Sequence, residues 1–111
     1  VGYIVVYMTV PSHDEAEKIV EAVLKKRFAA CANIMPAHTA MYWWEGAIQK
    51  AEEVAVIFKT REDLFEELRA EAVRLHSYDC PAIVAMPMTQ AHKPFLKFIE
   101  IETDELSRGG V

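Results

Sequence analysis

The sequence predicts an α+β fold in which two helices cover one face of a four-stranded antiparallel sheet. Three observations carry that reading. Strand-like and helix-like periodicities follow one another in the order strand, helix, hairpin, helix, strand. Both helical segments are amphipathic, so each has a single face to bury. The hairpin between them is long and apolar at both parities, which marks it as sheet buried on more than one side.

The elements follow in order. Tyr3 to Val10 (YIVVYMTV) is a β-branched apolar run closed by Pro11, and reads as a buried first strand. Ser12 stands at a helix N-cap position, with Glu15 three residues on to complete a capping box. Ala16, Ile19, Val20, Val23 and Leu24 then recur at helical spacing up to Arg27. From Ala29 to Trp44 the pattern is strand-like, and Pro36 within it marks a bulge, bend or edge, because proline cannot donate to a ladder. Glu45-Gly46 is a tight turn, and Ala47 to Thr60 returns as a second long strand with Ala55 to Phe58 its most buried part.

Arg61 to His76 is the second amphipathic helix, with Leu64, Phe65, Leu68, Ala72 and Leu75 inward and Glu62, Asp63, Glu66, Glu67 and Arg69 toward water. Cys80-Pro81 stops the chain, and Ala82 to Met88 reads as the fourth strand. A last helix is expected over Lys93 to Leu106, with Phe95, Phe98 and Ile99 inward and a tail from Ser107 to Val111. This is the ferredoxin-like βαββαβ order, whose right-handed crossovers put both helices on one sheet face. The hairpin carries Met41, Trp43, Val54 and Val56 on one parity and Tyr42, Trp44, Ala55 and Ile57 on the other. A sheet apolar on both faces needs a second cover, and another copy of the chain supplies it, so a homo-oligomer is expected.

The totals narrow the function. At 111 residues the chain, 1–111, fits one domain, and 52% hydrophobic against 26% charged residues is a globular composition. A net charge of −5 repels phosphate backbones, which argues against nucleic acid as partner. The opening apolar run is too short for a membrane span and no basic stretch precedes it. Cys31 and Cys80 form no CxxC pair, so reduced thiols and a cytoplasmic location are expected. No glycine-rich phosphate loop, GxSxG or HExxH is present, and the chain is read as a non-enzyme.

Several residues are candidates for chemistry. Cys31, in an apolar AACANI run, reads as a packed core thiol. His76-Ser77-Tyr78-Asp79-Cys80-Pro81 is the densest group of functional side chains. It is either a metal or small-molecule site, or a helix C-terminus followed by a turn. Tyr42-Trp43-Trp44 is read as packing at a subunit interface, since no cation accompanies it as nucleic-acid stacking would require. Lys59-Thr60-Arg61 enters a helix and offers either an anion site or solvated charges. His13, His38 and His92 are expected to be exposed.

Five stretches in order, TVPSHDEAEKI, KKRFAACANIMP, YWWEGAI, IFKTR and HSYDCPAI, resemble the CutA divalent-cation-tolerance family over nearly the full length. The resemblance implies a tight homotrimer, similar to that of PII signalling proteins, with clefts between subunits. It implies a cleft at Asn33, Tyr42, Trp44, Lys59, Thr60, His76 and Tyr78. It also implies copper or another divalent metal, or a small anion, as ligand, with no organic cofactor. His76 is the leading metal ligand, and Cys31, Cys80 and Met8 are further sulfur or thiolate candidates. The sequence departs from the family form at Ser77, Asp79, Phe95 and Phe98, and Ala82 removes a carboxylate usual at its position. The alternatives are a structural or signalling trimer without metal, or an acylphosphatase-like enzyme of the same topology. The latter needs an arginine in the loop that is here Pro11-Ser12-His13-Asp14.

Overall fold

The computed structural model describes residues 2–104. The strands are β1 (Tyr3–Val10), β2 (Cys31–Trp44), β3 (Ala47–Arg61) and β4 (Ile83–Pro87). The helices are α1 (His13–Lys25), α2 (Phe65–Leu75) and α3 (Lys93–Glu102), and a 3₁₀ turn, Glu62–Leu64, leads into α2. The sheet runs β2-β3-β1-β4 with every described pairing antiparallel, so β1 and β3 are central and β2 and β4 are edges. This is the expected α+β arrangement. The last helix ends at Glu102, short of the expected Leu106, and the tail expected from Ser107 lies outside the described residues.

Local signals account for the boundaries. Ser12 caps α1 by accepting from the Glu15 N–H at 3.2 Å. The reciprocal half of the capping box is not made, because the Glu15 carboxylate accepts instead from the Ser77 N–H at 2.8 Å. Arg27 takes φ 61° just past the helix. Its N–H donates to Leu24 O at 3.0 Å and the Phe28 N–H donates to Val23 O at 3.1 Å. That pair of bonds is a Schellman ending, made without the usual glycine. Glu45 and Gly46, at φ 51° and 82°, turn the hairpin with the left-handed pair that matches strand twist.

Pro36 does more than bend β2. The register slips between Ile34, opposite Val56, and Ala37, opposite Val54. Before the slip the even residues Ala32 and Ile34 share a face with Phe58 and Val56; after it, the odd residues do. The bulge therefore turns Tyr42 and Trp44 onto the opposite face from Ile34.

The core lies between the helices and the even positions of β1 and β3. Val6, Met8, Val10, Val56 and Phe58 are fully buried there against Ala16, Ile19, Val23, Leu68 and Ala72. The odd positions form a second face that α1 and α2 leave uncovered; α3 reaches its end, where the Tyr3 hydroxyl donates to Glu100. Val84 and Met86 of β4 lie on it, 52% and 46% exposed, opposite Tyr7 and Val5. Two expectations need correction. Phe98 was expected inward but is exposed, because Ile99 alone takes the buried position of α3. Cys31 is not in the core: it is half-buried on the uncovered face, directly across from Lys59.

Candidate functional site

A groove of about 700 Å³ opens on the uncovered face beside the base of the hairpin. Its floor is Tyr7 and Thr9 of β1, and β2 adds Tyr42 and Trp44 as one wall. Glu53 of β3 and the loop Ser77 to Cys80 close the other side, with Ala82 at the edge.

That loop is fixed by a backbone carbonyl of β1 and by side chains of α1 and β3. Thr9 O receives the bond from His76 Nε2 at 2.8 Å, and the Tyr78 N–H donates to His76 Nδ1 at 3.1 Å. In that arrangement Nε2 donates and Nδ1 accepts. The side chain is fully buried, with a Glu15 carboxylate oxygen 3.5 Å from Nδ1. Ser77 is held through its N–H by the same carboxylate. The Tyr78 hydroxyl donates to Glu53 Oε2 at 2.8 Å, and its ring stands 4.9 Å from that of His76. Burial first, then the hydrogen bond and charge of Glu53, push the Tyr78 hydroxyl far above the ordinary phenol range. It therefore stays a donor at neutral pH.

The expected site residues divide into groups. Tyr42, Trp44, Tyr78 and Cys80 come together around the groove. His76 lies behind it with both ring nitrogens engaged, so neither offers a free lone pair to a metal ion. Lys59 and Asn33 contact each other on the same face. They sit toward the far end of β3, six residues from Glu53, or about 20 Å along the strand. Lys59 does not line the groove. Thr60 is on the opposite, helix-covered face, fully buried, with its hydroxyl donating to Phe28 O at 2.7 Å. Met8 is buried in the core, out of reach of any surface ion. Arg61 is held by Asp63 through two bonds of 3.0 Å, which leaves its guanidinium little part in an anion site. His13 and His92 are exposed as expected, whereas His38 is half-buried opposite Glu53.

Two residues of the site have no counterpart among those expected. Glu53 is only 8% exposed, a carboxylate followed on β3 by the apolar run Val54 to Phe58. Its parity with Ala55 and Ile57 was the available signal, and the same parity rule separates Thr60 from Lys59. Glu15 was read only as a helix cap. Among the described residues, no three His, Cys, Asp or Glu side chains converge as a metal site. A smaller hollow of about 300 Å³ between α1 and α3 holds Arg27 and Glu102, which are spent on each other at 2.6 Å.

With this geometry established, the kinship is decided by sequence. The profile of the family described as CutA1 divalent ion tolerance protein matches residues 4–102. The chain belongs to the CutA1 family. It is 47% identical over 100 residues to the divalent-cation tolerance protein CutA of Pyrococcus horikoshii, covering 90% of this chain and 97% of that one. The CutA of Archaeoglobus fulgidus is 45% identical over 95 residues, covering 86% and 92%. A solved structure from Archaeoglobus fulgidus, described as a periplasmic divalent cation tolerance protein, superposes with a TM-score of 0.89 at 41% identity, covering 92% and 99%. The CutA1 structure from Oryza sativa reaches 0.91 at 35% identity, covering 95% and 96%. The CutA1 relatives are named for tolerance of divalent cations, and none of these names specifies a reaction.

Proposed function

We propose that the chain is a binding protein of divalent-cation tolerance that works as a homotrimer, with the groove completed as a cleft by a neighbouring subunit. The observation that carries this is the uncovered sheet face. Val84, Met86, Tyr42 and Trp44 lie on it, each more than 40% exposed in the single chain; Tyr42 and Trp44 line the groove, and Val84 stands opposite its Tyr7. Apolar surface of that kind, continuous with a cavity, is what an interface with a built-in site requires.

The ligand is a metal ion, copper foremost, or a small molecule. Within one chain the groove offers Glu53, Asp79 and the exposed Cys80 thiol, and a second subunit would add the remaining donors. His76 is assigned to holding Tyr78 in place, in keeping with its two internal bonds. The reading is of a binding protein in the cytoplasm, where its two free thiols stay reduced.

Calorimetric titration with Cu(II) and Zn(II) tests the metal version. Saturable binding that is lost in Cys80→Ser and Glu53→Gln supports it. Binding unchanged by either substitution removes the metal from this groove.

A further inference from the structure

The groove carries an unusual pairing of charge and rings. Among the described residues none of those lining it is Lys, Arg or His, while two are carboxylates, Glu53 and Asp79. Neither carboxylate forms an ion pair among the described residues. Asp79 is exposed, and Glu53 gives Oε2 to the Tyr78 hydroxyl while its other oxygen takes no bond. No buried side-chain oxygen or nitrogen among the described residues lacks a partner, so that second Glu53 oxygen opens onto the groove. His38, opposite Glu53 in the register, does not line it. Around the two carboxylates stand Tyr7, Tyr42, Trp44 and Tyr78.

Aromatic faces carry a negative quadrupole, and their attraction for a cation grows as the cation is more easily stripped of water. A hydrated inorganic dication gains little from rings and needs several converging donor atoms, which this single groove does not assemble. A weakly hydrated ammonium bearing carbon substituents gains from the rings and from the carboxylates together. The groove's volume of about 700 Å³ is of the size that encloses a small organic ligand. The net charge of −5 adds long-range attraction of the same sign.

We propose that the groove binds a small organic ammonium ion, caged by Tyr42, Trp44 and Tyr78 and neutralised by Glu53 and Asp79. This rests on the reading of the groove as the ligand cleft, and it names the ligand class. The rings exclude water, Glu53 supplies a fixed charge at the side of the groove, and Tyr78 holds Glu53 in position through its hydroxyl.

The test uses the full chain in its native assembly, with choline chloride as probe and 3,3-dimethylbutan-1-ol as its uncharged isostere. Binding is followed by tryptophan fluorescence and calorimetry. The expected result is saturable binding of choline, with the alcohol roughly tenfold weaker or more. Asp79→Asn, at an exposed carboxylate without a structural partner, should weaken choline roughly threefold, and Glu53→Gln roughly tenfold. Neither substitution should alter binding of the alcohol. Equal affinity for choline and the alcohol, or no saturation by choline, overturns the proposal. Light scattering and Cu(II) titration on the same samples separate the two readings. A metal-binding trimer that ignores choline sinks the ammonium ligand alone. A monomer that binds choline as expected sustains it while removing the inter-subunit cleft.

Discussion

The two faces of the central strands are built from alternate residues of one stretch of chain, yet they end in different states. Val6, Met8, Val56 and Phe58 face the helices and are fully buried. Val5, Tyr7 and Ile57, one position away in each case, are only half-buried, and Val84 and Met86 beside them are exposed. Composition does not separate the two sets, since both are apolar. What separates them is the supply of cover: two helices close the first face within the chain, and the second must find its cover elsewhere. The first face is therefore where the fold's stability resides, and the second is the face that carries the proposed ligand groove.

Substitutions can break that contrast in graded steps. Phe58→Ala should cost about 3–5 kcal/mol in denaturant unfolding at fixed chain concentration, because it opens a cavity in the helix-covered core. A cost below about 1 kcal/mol would mean that this face is not the one holding the fold together.

Glu71 comes next. It is 6% exposed and bonds Arg74 at 2.7 Å and Lys26 at 3.0 Å, tying α2 to the end of α1. The hydrogen bonds from Arg74 and then Lys26 lower its pKa from 4.5 to about 2. A depressed carboxylate pKa contributes stability that is complete above 4.5 and fades as pH falls toward about 2. Both cations are more than half exposed, so solvent screening limits the contribution to about 1–2 kcal/mol. Unfolding of Glu71→Gln followed from pH 7 to pH 2 should show that loss at neutral pH and a flatter profile below pH 4.5.

On the uncovered face the effects on the fold shrink. Tyr78→Phe leaves Glu53 without its donor and should cost about 1 kcal/mol, with the ring contact to His76 retained. Val84→Lys should change the stability of the isolated chain by no more than about 0.5 kcal/mol. Its effect should appear in the assembly instead, as a fall in mass by light scattering. A Val84→Lys protein with unchanged mass would show that β4 is not part of the covering surface.

The fold was legible because its signals are local and mutually consistent. The run YIVVYMTV, the Ser12 cap, the Glu45-Gly46 turn and the interruption at Pro36 each specify one boundary, and the structure keeps all of them. The errors arise where a distant partner outweighs a local preference. Glu15 satisfies a capping pattern in the sequence, but the backbone of Ser77, 62 residues on, takes its carboxylate. The helical pattern assigns Glu71 to neither face of α2, and its burial follows from the approach of α1. Phe98 is apolar and helically spaced, yet α3 turns Ile99 inward and leaves Phe98 exposed, stacked on Phe95.

The site was legible in part for the same reason. Tyr42, Trp44 and Tyr78 announced themselves by residue type, and they do meet at the groove. Glu53 did not, because a glutamate on a strand is usually solvated and its pairing with Tyr78 spans 25 residues. His76 was conspicuous by type, but its chemistry is spent on Thr9 and Tyr78.

Whether further copies of this chain complete the uncovered face and its groove is read from multi-angle light scattering at micromolar concentration. The expected mass is three times the 12.6 kDa of the chain. A species of 12.6 kDa would contradict it.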